Sequence, residues 1–181
     1  MELNQFSLFH ISQNPDIQFF QPRIYSQHSN LEKAVVFGVS IEYLYNYLLP
    51  RDCPRISFYA LDSSNQADIE KYLMEENSKK VLVIEKKWLP IISNTVLHCY
   101  ALPIEPFTLW NKEAGYYISQ ETITPITCIS ITSILEVLLS YPIELRLVDS
   151  LQPLANLLPT TSLHYSMIRL RNANFNIPHR E

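Results

Sequence analysis

Only two glycines, Gly38 and Gly115, occur in this chain of 181 residues, where average usage of ~7% would give roughly 13. Glycine is the residue that enters left-handed backbone conformations and permits close approach without steric cost. A chain this sparing with it must set many of its corners by other means, and twelve prolines are available for that. The scarcity also excludes classes of site. A Walker-type phosphate loop needs two glycines in one short loop, and a dinucleotide fingerprint needs three within six positions. A nucleophile elbow needs Gly-x-Ser-x-Gly. None of these occurs here, so any phosphate must be gripped by side chains or by a helix N-terminus.

The remaining bulk properties describe a globular chain. Hydrophobic residues make up 47%, enough for a substantial core, and charged residues 18%, below the ~25% norm. A net charge of -4 argues against general nucleic-acid binding, which calls for a basic face. Cys53, Cys99 and Cys128 are widely spaced with no CxxC pair, so no metal site is expected and free thiols in a reducing cytoplasm are. The N-terminus shows no signal-peptide pattern, and no apolar run approaches the ~18 residues of a membrane span.

Periodicity and turn signals predict strands at Phe6–Ser12, Ala34–Val39, Arg55–Leu61, Lys80–Glu85, Val96–Leu102, Tyr116–Ser119 and Ile143–Val148, and an extended stretch at Ile123–Ile131 around Pro125. Helices are expected from Ile41 to about Leu49 behind a Ser40 cap, within Asp62–Asn77, as a turn at Lys86–Pro90, over Ser133–Ser140, and after a Ser150 cap to about Leu158. Ser162–Leu170 fits either period. Strands and helices do not alternate regularly, so the expected class is α+β, a mixed or antiparallel twisted sheet with short helices. One domain over residues 1–173 and a loose tail over 174–181 are expected.

Four places carry candidate chemistry. His10 and Ser12 share one face of the first strand, where a histidine can act as acid, base or ligand donor, or simply bond a backbone carbonyl. Arg51 and Arg55 flank Cys53 in Leu49-Pro50-Arg51-Asp52-Cys53-Pro54-Arg55. They could clamp a phosphate or carboxylate, or lower the thiol pKa of Cys53 for a thiol enzyme, or stiffen a proline-rich corner. Gly115-Tyr116-Tyr117 suits close approach to a planar ligand and equally suits a turn into a strand. Arg169 and Arg171 would share one face if extended, as an anion site or a solvated face.

Phe9-His10-Ile11-Ser12, Phe20-Gln21-Pro22-Arg23, Leu49-Pro50-Arg51-Asp52-Cys53-Pro54-Arg55, Gly115-Tyr116-Tyr117-Ile118-Ser119 and Ile168-Arg169-Leu170-Arg171-Asn172-Ala173 together resemble a bacterial family of unknown function, along nearly the whole chain. Leu8-Phe9-His10-Ile11-Ser12 and Tyr116-Tyr117-Ile118-Ser119 are also similar in shape to the ADP-ribosyltransferase-like fold, which includes the RNA 2'-phosphotransferases. That resemblance implies NAD as cofactor, with His10 at its ribose. The glutamate of that fold would fall near Gly115, and the carboxylate that helps stabilise the developing cation is absent there. The phosphotransferase branch relies more on arginines and histidine, for which Arg23, Arg51, Arg55 and Arg169 are the material. The function expected is binding of a nucleotide or other small anionic ligand by His10, Ser12, Arg23, Arg51, Arg55, Gly115, Tyr116, Tyr117 and Arg169. The alternative is a protein-interaction domain with a tyrosine-rich surface.

Overall fold

The computed structural model describes residues 2–25, 31–73 and 80–175. Among them are ten strands: β1 Leu8–Ser12, β2 Val36–Ser40, β3 Arg55–Tyr59, β4 Lys80–Glu85, β5 Leu97–Leu102, β6 Thr108–Asn111, β7 Tyr116–Ser119, β8 Thr127–Ile131, β9 Glu144–Val148 and β10 His164–Ile168. The α-helices are short: α1 Gln66–Tyr72, α2 Leu89–Ser93, α3 Ile134–Leu139 and α4 Gln152–Leu157. The α+β expectation holds. No described helix is long and apolar enough to cross a membrane.

The chain divides into two compact units, each made of two separate stretches: Met1–Leu48 with Val96–Thr132, and Leu49–Thr95 with Ser133–Glu181. The first unit carries a six-stranded sheet in the order β6-β7-β2-β1-β5-β8, antiparallel throughout. One face of it buries Leu8, Val36, Tyr100, Leu102, Phe107 and Ile123, with Tyr117 packed against them. Gly38 lies in β2 opposite Tyr117, and a Cβ there would stand 3.3 Å from the Phe107 ring. β1 pairs with β5 over five residues, Leu8 to Ser12, but with β2 only at Leu8 and Phe9. Beyond Phe9 the β1–β2 ladder ends, and backbone groups there need other partners.

The second unit carries a four-stranded sheet in the order β10-β3-β4-β9. β3 and β4 are central. All of β3 is buried, as is β4 from Val81 onward, which explains why Lys80–Glu85 reads as a continuous apolar run closed by charges. β9 runs parallel to β4. Parallel neighbours need a long crossover, and here it includes α2, the strands β5–β8 and α3. Ile56, Phe58, Val81, Val83, Leu151, Leu158 and Leu163 form the core of this unit.

Several boundaries differ from the expectations. The segment after β2 is a 3-10 helix, Ile41–Asn46, rather than an α-helix to Leu49. Its first amide bonds the Ser7 carbonyl, and the Ser40 side chain makes no cap. The helix expected in Asp62–Asn77 starts only at Gln66, because Leu61–Ser64 closes a turn and Asn65 caps by accepting from the Asp68 amide at 2.8 Å. Residues 74–77 of that expectation lie outside the described residues. Of the stretch Ile123–Ile131 only Thr127–Ile131 is a strand, and Ile123 instead bridges to Phe20. Ser150 does serve the next helix, accepting from the Gln152 amide at 3.2 Å. Within Ser162–Leu170 the residues His164–Ile168 form strand β10, which pairs with β3 along its whole length. Asn174, placed in the loose tail by sequence, donates to Glu85 Oε1 at 2.7 Å, and its carbonyl accepts from the Ser150 hydroxyl. Residues 176–181 lie outside the described residues.

Candidate functional site

The proline-framed loop at residues 50–54 leads directly into β3, so Arg55 begins a strand buried on both faces. Its guanidinium is drawn inward with it and donates to the Cys53 carbonyl at 2.9 Å. Across the β3–β10 ladder Arg55 stands opposite Ile168. The residue after Ile168 is Arg169, which leaves the strand in the left-handed region (φ 56°, ψ 29°) and starts a 3-10 turn, Leu170–Asn172. The turn is held by the Asn172 amide on the Arg169 carbonyl at 2.9 Å. Its side chains then reach back to the loop: Arg169 Nε donates to the Arg51 carbonyl at 3.4 Å and Asn172 Nδ2 to the Asp52 carbonyl at 2.7 Å. Arg51, Arg55 and Arg169 are thus gathered at one corner of the second unit. The extended course on which Arg169 and Arg171 would share one face is not taken, because the strand ends at Ile168 and Arg171 lies in the 3-10 turn.

Burial lowers the Arg55 pKa to about 10, the Cys53 sulfur opposing that and the neighbouring Arg169 charge adding to it. Arg55 therefore remains a cation at neutral pH. Cys53 is fully buried, and burial pushes its thiol up to about 12; the Arg55 charge favours ionisation and Glu85 disfavours it. Flanking arginines predict a lowered thiol pKa, but loss of hydration outweighs them here. A thiol kept protonated and out of solvent is a poor nucleophile.

In the first unit His10 occupies the place where β1 and β2 part. Its Nδ1 lies 3.3 Å from the Phe37 carbonyl. A carbonyl can only accept, so the neutral ring carries its proton on Nδ1 and its lone pair on Nε2. Phe20 packs on the imidazole at 4.6 Å between centroids, and Phe20 in turn meets Tyr100 edge-on at 5.4 Å. The Ser12 hydroxyl accepts from the Asn14 amide at 3.0 Å and closes a turn. Arg23 is exposed, with its backbone bridged to Val35.

The two tyrosines after Gly115 separate, as strand alternation requires. The registers put Tyr117 opposite Gly38, Ser40 opposite Leu8, and His10 opposite Tyr100, so Tyr117 and His10 share the core face. Tyr116 turns to the other face. There its hydroxyl hydrogen-bonds that of Tyr47, and its ring meets Phe37 at 5.6 Å and Trp110 at 6.1 Å. Tyr25 stands edge-on to Phe37 at 4.9 Å. Burial pushes the Tyr116 pKa to about 12. Gly115 has φ +64°, and a Cβ there would meet Tyr43 at 2.4 Å and Ser40 Oγ at 2.6 Å. Tyr43 and Ser40 occupy the side on which a Cβ would stand, and the positive φ fits the turn that leads into β7.

Sequence reasoning singled out these residues one by one but missed Asn172, whose amide ties the corner together, and the Phe37–Trp110–Tyr116 grouping. Both depend on long-range pairing, for which spacing along the chain carries no signal. Among the described residues no group of His, Cys, Asp and Glu could hold a metal ion.

A model of a family of unknown function, DUF6886, matches residues 9–173, and the chain belongs to that family. No curated protein and no solved structure matches it.

Proposed function

Starting from membership of a family of unknown function, we propose that this chain binds a small anionic ligand, nucleotides among them, at the arginine corner of its second unit. The observation that carries this reading is a buried guanidinium, Arg55, whose cross-strand neighbour Ile168 is followed by Arg169 in a left-handed turn, close enough for the Arg169 charge to act on it. Burying a cation is costly, and holding two like charges together adds to that cost. An oxyanion offsets both, because guanidinium groups bind phosphate and carboxylate through paired, charge-assisted hydrogen bonds. Arg55 supplies the fixed charge, Arg169 the half-buried one, and Arg51 flanks them on the loop.

NAD cleavage is no part of this reading: Gly115 stands where the resembled fold would need its glutamate. Thermal melting with inorganic phosphate, ADP-ribose, NAD and 2'-phosphorylated RNA tests the proposal. Ligand at 100 times its Kd stabilises the native state by about 2.7 kcal/mol, a rise of several degrees for a chain of this size. The rise should vanish in Arg169→Gly. An unchanged melting temperature with every anion would overturn the reading.

A further inference from the structure

We propose that β8, an edge of the six-stranded sheet, pairs antiparallel with β8 of a second copy of this chain, so that one sheet runs through both. The pairing is independent of anion binding. Among the described residues β8 pairs only with β5, over Thr127–Ile131, and no strand lies along its other side. Such an edge offers a row of backbone donors and acceptors to another strand, and folded chains blunt it with charges, bulges or early stops. The other three edges are blunted in these ways. β6 is bulged between Leu109 and Asn111 and runs into Lys112 and Glu113. β9 carries Glu144 and Arg146, and β10 stops at Ile168, before the left-handed Arg169. β8 has no such guard. No Asp, Glu, Lys, Arg or His occurs between Glu121 and Glu136, and five of the seven residues 126–132 are β-branched. Ile126 is 57% exposed, Cys128 and Ser130 are exposed, and Ile129 is half-buried.

Three features select a copy of the same strand as the occupant. First, an uncharged edge meets no charge in its own copy, whereas a net charge of -4 makes two copies repel elsewhere. Second, the segment is self-complementary about Ile129. Thr127 then faces the partner's Ile131 and Ile129 the partner's Ile129, which are β-branched pairs on one face. Cys128 faces the partner's Ser130, a small pair on the other. Third, the ends match. Pro125 has no amide to donate, and after Ser133 the chain enters α3. In this register Pro125 stands opposite the partner's Ser133, so neither stop falls inside the ladder. A two-fold contact of this kind closes on itself at the dimer. A ladder this short covers less than the ~1,600 Å² of a standard interface, so the dimer is weak and depends on concentration.

Sedimentation equilibrium of the full chain from about 10 μM to about 1 mM should show monomer and dimer in exchange. Cys128→Lys combined with Ser130→Lys sets lysine opposite lysine twice. Both positions are exposed, so the melting temperature should hold. Dimerisation should weaken at least about tenfold, even though the added charge brings the net charge nearer zero. Disulfide trapping in a Cys128→Ser background reads the register, since Cys53 and Cys99 are buried. Ile129→Cys sets two thiols on the two-fold, where opposed Cα atoms stand about 4.5–5.5 Å apart, within disulfide range. It should give a covalent dimer under mild oxidation, and Thr127→Cys, which faces the partner's Ile131, should not. Equal trapping of the two variants, or a dissociation constant that the lysines leave unchanged, would overturn the proposal. So would a chain that stays monomeric throughout the range; if an added uncharged strand peptide then slowed amide exchange in β8, the edge would belong to a foreign strand.

Discussion

Two described residues have positive φ, Gly115 at 64° and Arg169 at 56°, and they call for opposite experiments. Gly115 cannot accept a side chain: an alanine Cβ would collide with Tyr43 and Ser40, and the backbone region costs a non-glycine residue roughly 1–2 kcal/mol. Gly115→Ala should therefore lose about 2–4 kcal/mol, adding an overpacking cost of similar size, seen as a lower midpoint in urea. At Arg169 the strain is already present. Arg169→Gly relieves it while enlarging the freedom of the unfolded chain, so stability should stay within about 1 kcal/mol of the native protein while anion binding disappears. A large drop in the urea midpoint for this variant would mean that the arginine holds the corner together rather than serving a ligand. Cys53 gives a third residue-scale test. Iodoacetamide at neutral pH should modify it far more slowly than a free thiol, and fast alkylation of the folded protein would contradict the burial that raises its pKa.

At the scale of elements, the best-read segment was β4, because a central strand buried on both faces shows as an unbroken apolar run and its charged ends stand out. The worst-read was the end of β10. Ser162–Leu170 fits two periods, and only the ladder with β3 decides between them. The same ladder brings Arg169 beside a loop 118 residues away, a closeness that no local pattern encodes. His10 was legible as a strand residue, and its two readings differ only in what lies across the sheet. The charged end of β4 shows how such partners matter. Glu85 is fully buried, yet its carboxylate joins three segments: the amide of Leu151 at the start of α4, the amide of Asn174, and Lys87. Glu85→Ala would take this acceptor from the buried amide of Leu151, at a cost of about 1–3 kcal/mol, and from the part-buried amide of Asn174. Glu85→Gln keeps the acceptor oxygen and loses the ion pair with the half-exposed Lys87, whose charge stays in contact with water while a buried carboxylate charge is removed. Chemical denaturation should place Glu85→Ala well below Glu85→Gln, and amide exchange at Asn174 should accelerate only in the alanine variant. Equal destabilisation by both would show that the charge, not the acceptor geometry, matters here.

At the scale of the whole molecule, the chain leaves and re-enters each unit, changing units near residues 48, 95 and 132. Neither sheet is completed by a contiguous stretch of sequence. A cut between residues 95 and 96 would leave β1 with its two-residue pairing to β2 and remove its five-residue pairing to β5. The same cut would reduce the second sheet to the β3–β4 pair without β9 or β10. An isolated two-stranded unit is marginal in water, and the cores that would cover these strands draw on both sides of the cut: Leu8 and Val36 with Tyr100, Leu102 and Ile123, and Ile56 and Val81 with Leu151 and Leu163. Fragments 1–95 and 96–181 should therefore each lack a cooperative thermal transition and a near-ultraviolet dichroism signal. Mixed after denaturation, they should recover both together. The pairings that close the sheets span long loops, so that recovery should be slow compared with local hairpin formation. A fragment 1–95 that melts cooperatively by itself would mean that the first half carries a self-sufficient core, and the account of two interleaved units would fail.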